Sequence, residues 1–315
     1  MSTARTALEN IGIKVEKYYS SEIKPYANKL TQYHYPDTIQ LGDVTKWREW
    51  DINWAEIDMI CSGSPCQDLS IAGKRKGLKG ENSSLFWVFI DILNHCRQFN
   101  PDVMFFQENV GSAPVNDVRI MSEAMGVLHI RINSNLVTAQ NRDRLYWTNI
   151  RTRTDWTGYT WTDISQPEDR KIFLKDIIES GEVDKDKANA ILESQSRAQL
   201  KQEGLKRRDD KGFITCIKEV IQLNLSTESG GKQPYQQNRI YDINGIAPAV
   251  CTQNNGMILD SDYYLRLFTQ TELERLQGFP DGWTSILSYN HASSLLGDGW
   301  TLPVIEHIFS FLVDN

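Results

Sequence analysis

The sequence predicts an α/β protein: a parallel sheet with helices on both faces, followed by a smaller, irregular, β-rich second domain. Three observations carry this. Short apolar runs alternate with amphipathic helical stretches as far as residue 165. The runs end in Gly, Ser, Pro or an acid, as buried parallel strands do where they hand over to loops. From about residue 166 to 260 the alternation gives way to polar, Gln/Asn-rich sequence such as STESGGKQPYQQNRIYDINGIAP, which cannot continue a doubly wound sheet.

Residues 3–11 are expected to form a helix, and KVEKYYSSE a strand that ends at Glu22. IKPYANKLTQYH reads as the next helix, and TIQLGD and IDMICSGSPC as buried strands. SSLFWVFIDILNHCRQ has helical spacing and a Ser83 or Ser84 cap, and Pro101 precedes the strand DVMFFQEN. TQTELERLQGF is an amphipathic helix closed by Gly278, and TLPVIEHIFSFLV a last helix able to dock on the first domain. The implied domains are 1–165, 166–286, and a returning segment, 287–315.

Composition narrows the function. With 315 residues and 40% hydrophobic content, the chain can build one large core and an appendage. No apolar run approaches the roughly 18 residues of a membrane span, and the opening MSTARTALENIGIK lacks a signal-peptide pattern. No membrane partner is expected, and a cytoplasmic location is. Five cysteines, with no CxxC or metal-ligand Cys/His spacing, suggest neither a disulfide framework nor a metal site. The formal charge of -7 argues against blanket coating of nucleic acid, so any such contact is local. Two basic patches offer it, one at Lys74, Arg75, Lys76 and Lys79, the other from Arg197 to Lys211 with Arg207 and Arg208 at its centre. Composition alone favours a solvated loop for either patch.

Chemistry concentrates at the ends of strands. Glu22 and Asp43 close consecutive strands, where carboxylates accept hydrogen bonds from the ribose of a nucleoside cofactor or simply cap helices. SGSPCQDLS puts Cys66 behind Pro65 in a Gly/Ser loop just past a strand. Most cysteines are inert small hydrophobes, yet a thiolate there could add to an electron-poor ring carbon. Glu108, in FFQENVG, brings a carboxyl to the same face, where it could bond a nucleobase nitrogen and amine. QNRDRLYW supplies Gln140, Arg142 and Arg144, with both arginines expected on one side of a strand.

The succession PCQ, ENV, QxRxR, RLFTQTELERLQGFP and GDGWTLPV resembles the cytosine-carbon-5 DNA methyltransferase family over most of the chain. SPCQDLS and GWTLPVIEHIF are most similar to a phage or bacterial branch that also resembles the animal de novo enzymes. The resemblance implies a Rossmann-like sheet that binds S-adenosyl-L-methionine, with residues 166–286 as target-recognition domain. It implies methyl transfer to carbon 5 of a flipped-out cytosine in double-stranded DNA, because carbon 6 is inaccessible in stacked DNA. Cys66 would be the covalent nucleophile, Glu108 would hold ring nitrogen 3 and the amine, and Arg144 would stabilise the activated base with support from Arg142 and Gln140. Cofactor contacts fall to Glu22, Ile23, Asp43, Val44, Pro65, Asp298 and Trp300. DNA contacts fall to Gln67, Ser70, Lys74, Arg75, Lys76, Arg207 and Arg208. The alternatives are an RNA cytosine methyltransferase and a non-catalytic DNA-binding homologue.

Two departures from the family stand out. Asp298 follows the Gly of GDGW where Asn is common. The family also opens on a strand and a Phe-x-Gly turn ahead of a sequence like STARTALE, so the first strand is expected to be missing here. A monomer in the cytoplasm of a bacterial or phage-infected cell follows, with a cognate restriction endonuclease as a candidate partner.

Overall fold

The computed structural model describes residues 1–63, 84–179, 186–189 and 268–313, together with four isolated strand dipeptides between residues 214 and 266. The chain divides into two compact units, the first comprising 1–133, 143–168 and 302–315, the second 134–142 and 169–301.

The first unit is an α/β structure. Helix α1 (Thr3–Asn10) leads to strand β1 (Tyr19–Ser20), helix α2 (Pro25–His34) and strand β2 (Ile39–Gln40). Pro25 starts α2 because a helix's first turn needs no proline N–H and its fixed φ suits the entry. β1 and β2 pair in parallel, Tyr19 with Ile39 and Ser20 with Gln40. A second sheet is built from β3 (Met59–Gly63), β4 (Met104–Val110), β5 (Ile130–Asn133) and β7 (Asp143–Thr148) in the order β3-β4-β7-β5.

This sheet is mixed, which corrects the all-parallel expectation: β3 runs parallel to β4, but β7 is antiparallel to both β4 and β5. The cause is the length of a connection. Helix α4 (Val115–Met125) carries the chain back between β4 and β5. Residues 134–142, between β5 and β7, are too few for a parallel crossover, which takes about a dozen residues or more.

The two faces of the sheet are covered by different helices. Phe86, Phe89 and Leu93 of α3 (Ser84–Cys96) and Met121 and Met125 of α4 pack with Phe105, Leu145 and Trp147 into one buried cluster. Ser83 lies outside the described residues, so the expected cap of α3 does too. Trp147 donates its Nε1–H to the Ser122 hydroxyl at 2.8 Å, so the largest fully buried side chain among the described residues leaves no polar atom unmet. On the other face Phe106 stacks edge-on against Phe309 of the final helix (Leu302–Ser310), ring centroids 5.5 Å apart. That helix also packs on α1. Beyond β7 the chain forms the hairpin β8 (Thr152–Thr154) and β9 (Thr160–Thr162).

In the second unit β6 (Gln140–Asn141) pairs in parallel with β10 (Ala188–Asn189), and the dipeptides form two further antiparallel pairs, Ile214–Thr215 with Val250–Cys251 and Ile258–Leu259 with Leu265–Arg266. Helix α5 (Gln270–Leu276) starts in a capping box: the Thr269 hydroxyl accepts the Glu272 N–H at 3.2 Å and Glu272 accepts the Thr269 N–H at 2.8 Å. Gly278 follows at φ 77°, a left-handed stop that costs glycine nothing. Helix α6 (Tyr289–Asp298) completes the unit, and the helix Leu302–Ser310, in the first unit, is α7.

Candidate active site

Glu108 and Arg144 meet at the carboxyl end of β4. Their strands pair antiparallel, with Glu108 opposite Tyr146 and Val110 opposite Arg144, so the arginine side chain reaches back one pair along the same face. Arg144 Nε lies 2.7 Å from Glu108 Oε1, and the two side chains are only 13% and 11% exposed. The Nε–H does not point along that line, so the contact is an ion pair rather than a linear hydrogen bond. A second anchor holds the guanidinium, whose Nη1 donates to the Asp143 carbonyl at 2.8 Å. Neighbouring Asn109 turns inward, its Oδ1 accepting the Val110 N–H at 2.8 Å.

The expectation of Arg142 and Arg144 on one face of a single strand is corrected. The ladder breaks at Arg142, between β6 and β7, and the two arginines have separate tasks. Arg142 is buried within the second unit, where Nη2 donates to the carbonyls of Gly297 (3.0 Å) and Gly299 (2.9 Å). Gln140, also buried, donates from Nε2 to the Leu276 carbonyl at 3.0 Å. Gln277 donates to the Leu296 carbonyl and accepts the Thr301 hydroxyl at 2.8 Å. Arg142 and Gln277 hold the turn carrying Asp298, which is exposed, and Trp300, which is half-buried, while Gln140 is tied to the last residue of α5. Glu274 does similar work nearby, taking the N–H groups of Gly282 and Thr284 at 2.6 Å each.

Glu22 and Asp43 lie just past the ends of parallel β1 and β2. Both serve as local caps. Glu22 Oε1 accepts the N–H groups of Ile23 and Lys24 at 2.8 Å each. Asp43 Oδ1 accepts the Thr45 N–H at 2.9 Å and its hydroxyl at 2.8 Å, which hold the Asp43 carboxyl below the usual carboxylate range. Ile23 beside Glu22 is 72% exposed, and Val44 beside Asp43 is half-buried.

Pro65, Cys66, Gln67, Ser70, Lys74, Arg75, Lys76, Arg207 and Arg208 lie outside the described residues. Two other cysteines are described with their thiols. Cys61, in β3, is half-buried as a residue, but burial of its thiol pushes the pKa up to about 12. Cys96 is buried and likewise raised. Neither suits a nucleophile at neutral pH, because the thiolate is the reactive form.

Sequence reasoning missed Gln277, Glu274, Arg131 and Asp143. A glutamine in the otherwise apolar turn LQGF was a signal for the first; the others depend on partners distant in sequence.

The fold is shared with methyltransferases of known structure. The S. pombe Dnmt2 methyltransferase superposes with a TM-score of 0.57 at 14% identity, over 99% of this chain and 95% of that one. The sequence matches the C-5 cytosine-specific DNA methylase family over residues 2–313, so the chain belongs to that family, whose enzymes methylate carbon 5 of cytosine in DNA. The type II methyltransferase M.HhaI of Haemophilus parahaemolyticus is 25% identical over 319 residues, 96% of this chain and 89% of that relative. The orphan methyltransferase M.SPRI of Bacillus phage SPR is 27% identical over 292 residues, 82% of this chain and 63% of the relative.

Proposed function

We propose that Cys66 is the covalent nucleophile of a DNA cytosine-5 methyltransferase whose base-binding pair is Glu108 and Arg144. The observation that carries this reading is the desolvated Glu108–Arg144 pair at the carboxyl end of β4. The Cys66 thiolate bonds to carbon 6 of the flipped-out cytosine as the C5=C6 electrons shift toward nitrogen 3 and carbon 5. Glu108 shares a proton with nitrogen 3 and accepts from the exocyclic amine, which neutralises charge arriving on the ring. Arg144 keeps the carboxyl aimed. Loss of the carbon-5 proton to water afterwards restores the double bond and expels the thiolate.

S-adenosyl-L-methionine, when bound, supplies the electrophilic methyl group. The residues fit it: Glu22 and Asp43 are fixed carboxylates at adjacent strand ends, and exposed Ile23 with Val44 provides an apolar wall. The family resemblance assigns Pro65, Asp298 and Trp300 to the cofactor as well. Arg142 acts as a positioning residue for the Asp298–Trp300 turn rather than on the base, and Gln140 braces the end of α5. A Rossmann-like arrangement would place a further strand between β1 and β3. Among the described residues each of these pairs on one side only, β1 with β2 and β3 with β4.

The segment 166–286 is read as the target-recognition domain, with Arg207 and Arg208 on phosphates and Gln67, Ser70, Lys74, Arg75 and Lys76 approaching the DNA from the loop after Cys66. We read the protein as a cytoplasmic monomer, with a cognate restriction endonuclease as its candidate partner.

Duplex DNA carrying 5-fluorocytosine tests the nucleophile. With cofactor present, the chain is expected to be trapped covalently and Cys66→Ala not at all. Trapping of that variant, or attachment through Cys61, refutes the assignment.

A further inference from the structure

Arg144 owes half its anchorage to a peptide carbonyl, and that carbonyl is itself clamped. The Asp143 oxygen that takes Arg144 Nη1 also accepts the Gly111 N–H at 3.1 Å, from the residue just past β4. The Asp143 side chain points to the other face of the sheet, with Leu145. There Arg131 of β5, paired with Leu145, holds it in a fork: Arg131 Nε is 2.8 and 3.0 Å from the two carboxylate oxygens, and Nη2 contacts Oδ2. Asp143 in turn raises the Arg131 pKa further. The carboxylate is seated so closely against Gly111 that a Cβ there would stand 2.4 Å from Oδ2 and 2.6 Å from Cγ. This glycine has an ordinary φ, so it is demanded by space rather than by backbone conformation.

We infer that Arg131, Asp143 and Gly111 form a positioning clamp that acts through the sheet to aim Arg144 at Glu108. The clamp is at the surface, with Arg131 62% and Asp143 34% exposed, and exposed pairs contribute little to stability. Its consequence is geometric: it fixes the first residue of β7, from which Arg144 reaches its partner. Small displacements of a catalytic group cost rate far more than they cost stability. The inference rests on the reading of Glu108 and Arg144 given above.

The experiment is a kinetic double-mutant cycle on the full chain with duplex DNA and S-adenosylmethionine. Arg131→Met and Asp143→Ala are each expected to lower kcat roughly tenfold to a hundredfold while KM for DNA and Tm stay nearly constant. In an Arg144→Met background the same changes are expected to cost almost nothing more, and Arg131→Lys is expected to recover part of the loss. Gly111→Ala should behave like Asp143→Ala, and should add little in the Asp143→Ala background, where the colliding carboxylate is gone. Independent, multiplicative effects of Arg131→Met and Arg144→Met, or an unchanged kcat in Arg131→Met, overturn the clamp. If Arg144→Met itself leaves turnover unchanged, the reading of the Glu108–Arg144 pair fails instead, and the clamp falls with it.

Discussion

Replacing Glu108 separates the chemical role of the carboxylate from its structural one. Its partner Arg144 is 13% exposed, with an ion pair to Glu108 and a single carbonyl bond to Asp143. Glu108→Ala therefore strands a largely desolvated guanidinium. Removing one member of a buried pair costs about 3–5 kcal/mol, and the residual exposure here argues for about 3. For a unit of this size each kcal/mol lowers Tm by roughly 2–4 °C, so a fall of about 6–12 °C is expected. Glu108→Gln keeps the shape and an acceptor oxygen, so its Tm should fall by less than half as much, but it cannot share a proton with the ring. Methyl transfer by Glu108→Gln should drop by roughly 10²–10⁴ with DNA affinity retained. Thermal melting of both variants, DNA titration and single-turnover methyl incorporation measure all three quantities. Near-normal turnover in Glu108→Gln removes the carboxylate from the mechanism, and an unchanged Tm in Glu108→Ala shows that the pair contributes nothing to the fold.

Arg142→Met, which takes a charged donor from the carbonyls of Gly297 and Gly299, is expected to weaken S-adenosylmethionine binding at least tenfold in calorimetry and to destabilise the second unit by about 2–4 kcal/mol; cofactor binding and stability both unchanged would return Arg142 to the base-binding set. Cys61 should resist alkylation in the native protein at pH 7–9, because burial pushes its thiol up to about 12. With its folded pKa raised, the buried thiol's contribution to stability is complete below the ordinary thiol value of 9.0 and is lost as pH rises from there toward about 12, so Cys61→Ala should flatten the alkaline fall in Tm; rapid labelling at pH 8 contradicts the burial.

What the sequence determined by itself is local and periodic. The helices Thr3–Asn10, Pro25–His34 and Gln270–Leu276 were legible because proline placement, a Thr269/Glu272 capping box and a left-handed Gly278 act within a few residues. The ends of β1, β2 and β4 were legible too, since buried strands hand over to loops at recognisable residues, and so Glu22, Asp43 and Glu108 were found. The order of short motifs along the chain carried the family. Tertiary structure alone decided what depends on partners far apart in sequence. The antiparallel course of β7 follows from the length of one connection, which strand periodicity does not encode. Arg142 and Arg144 stand two apart in a single motif, yet one serves carbonyls at Gly297 and Gly299 and the other a carboxylate at Glu108. A guanidinium can satisfy either kind of acceptor equally well. Which it meets is settled only when folding brings the acceptor to it, as it brings Arg131 to Asp143 and leaves Gly111 no room for a side chain.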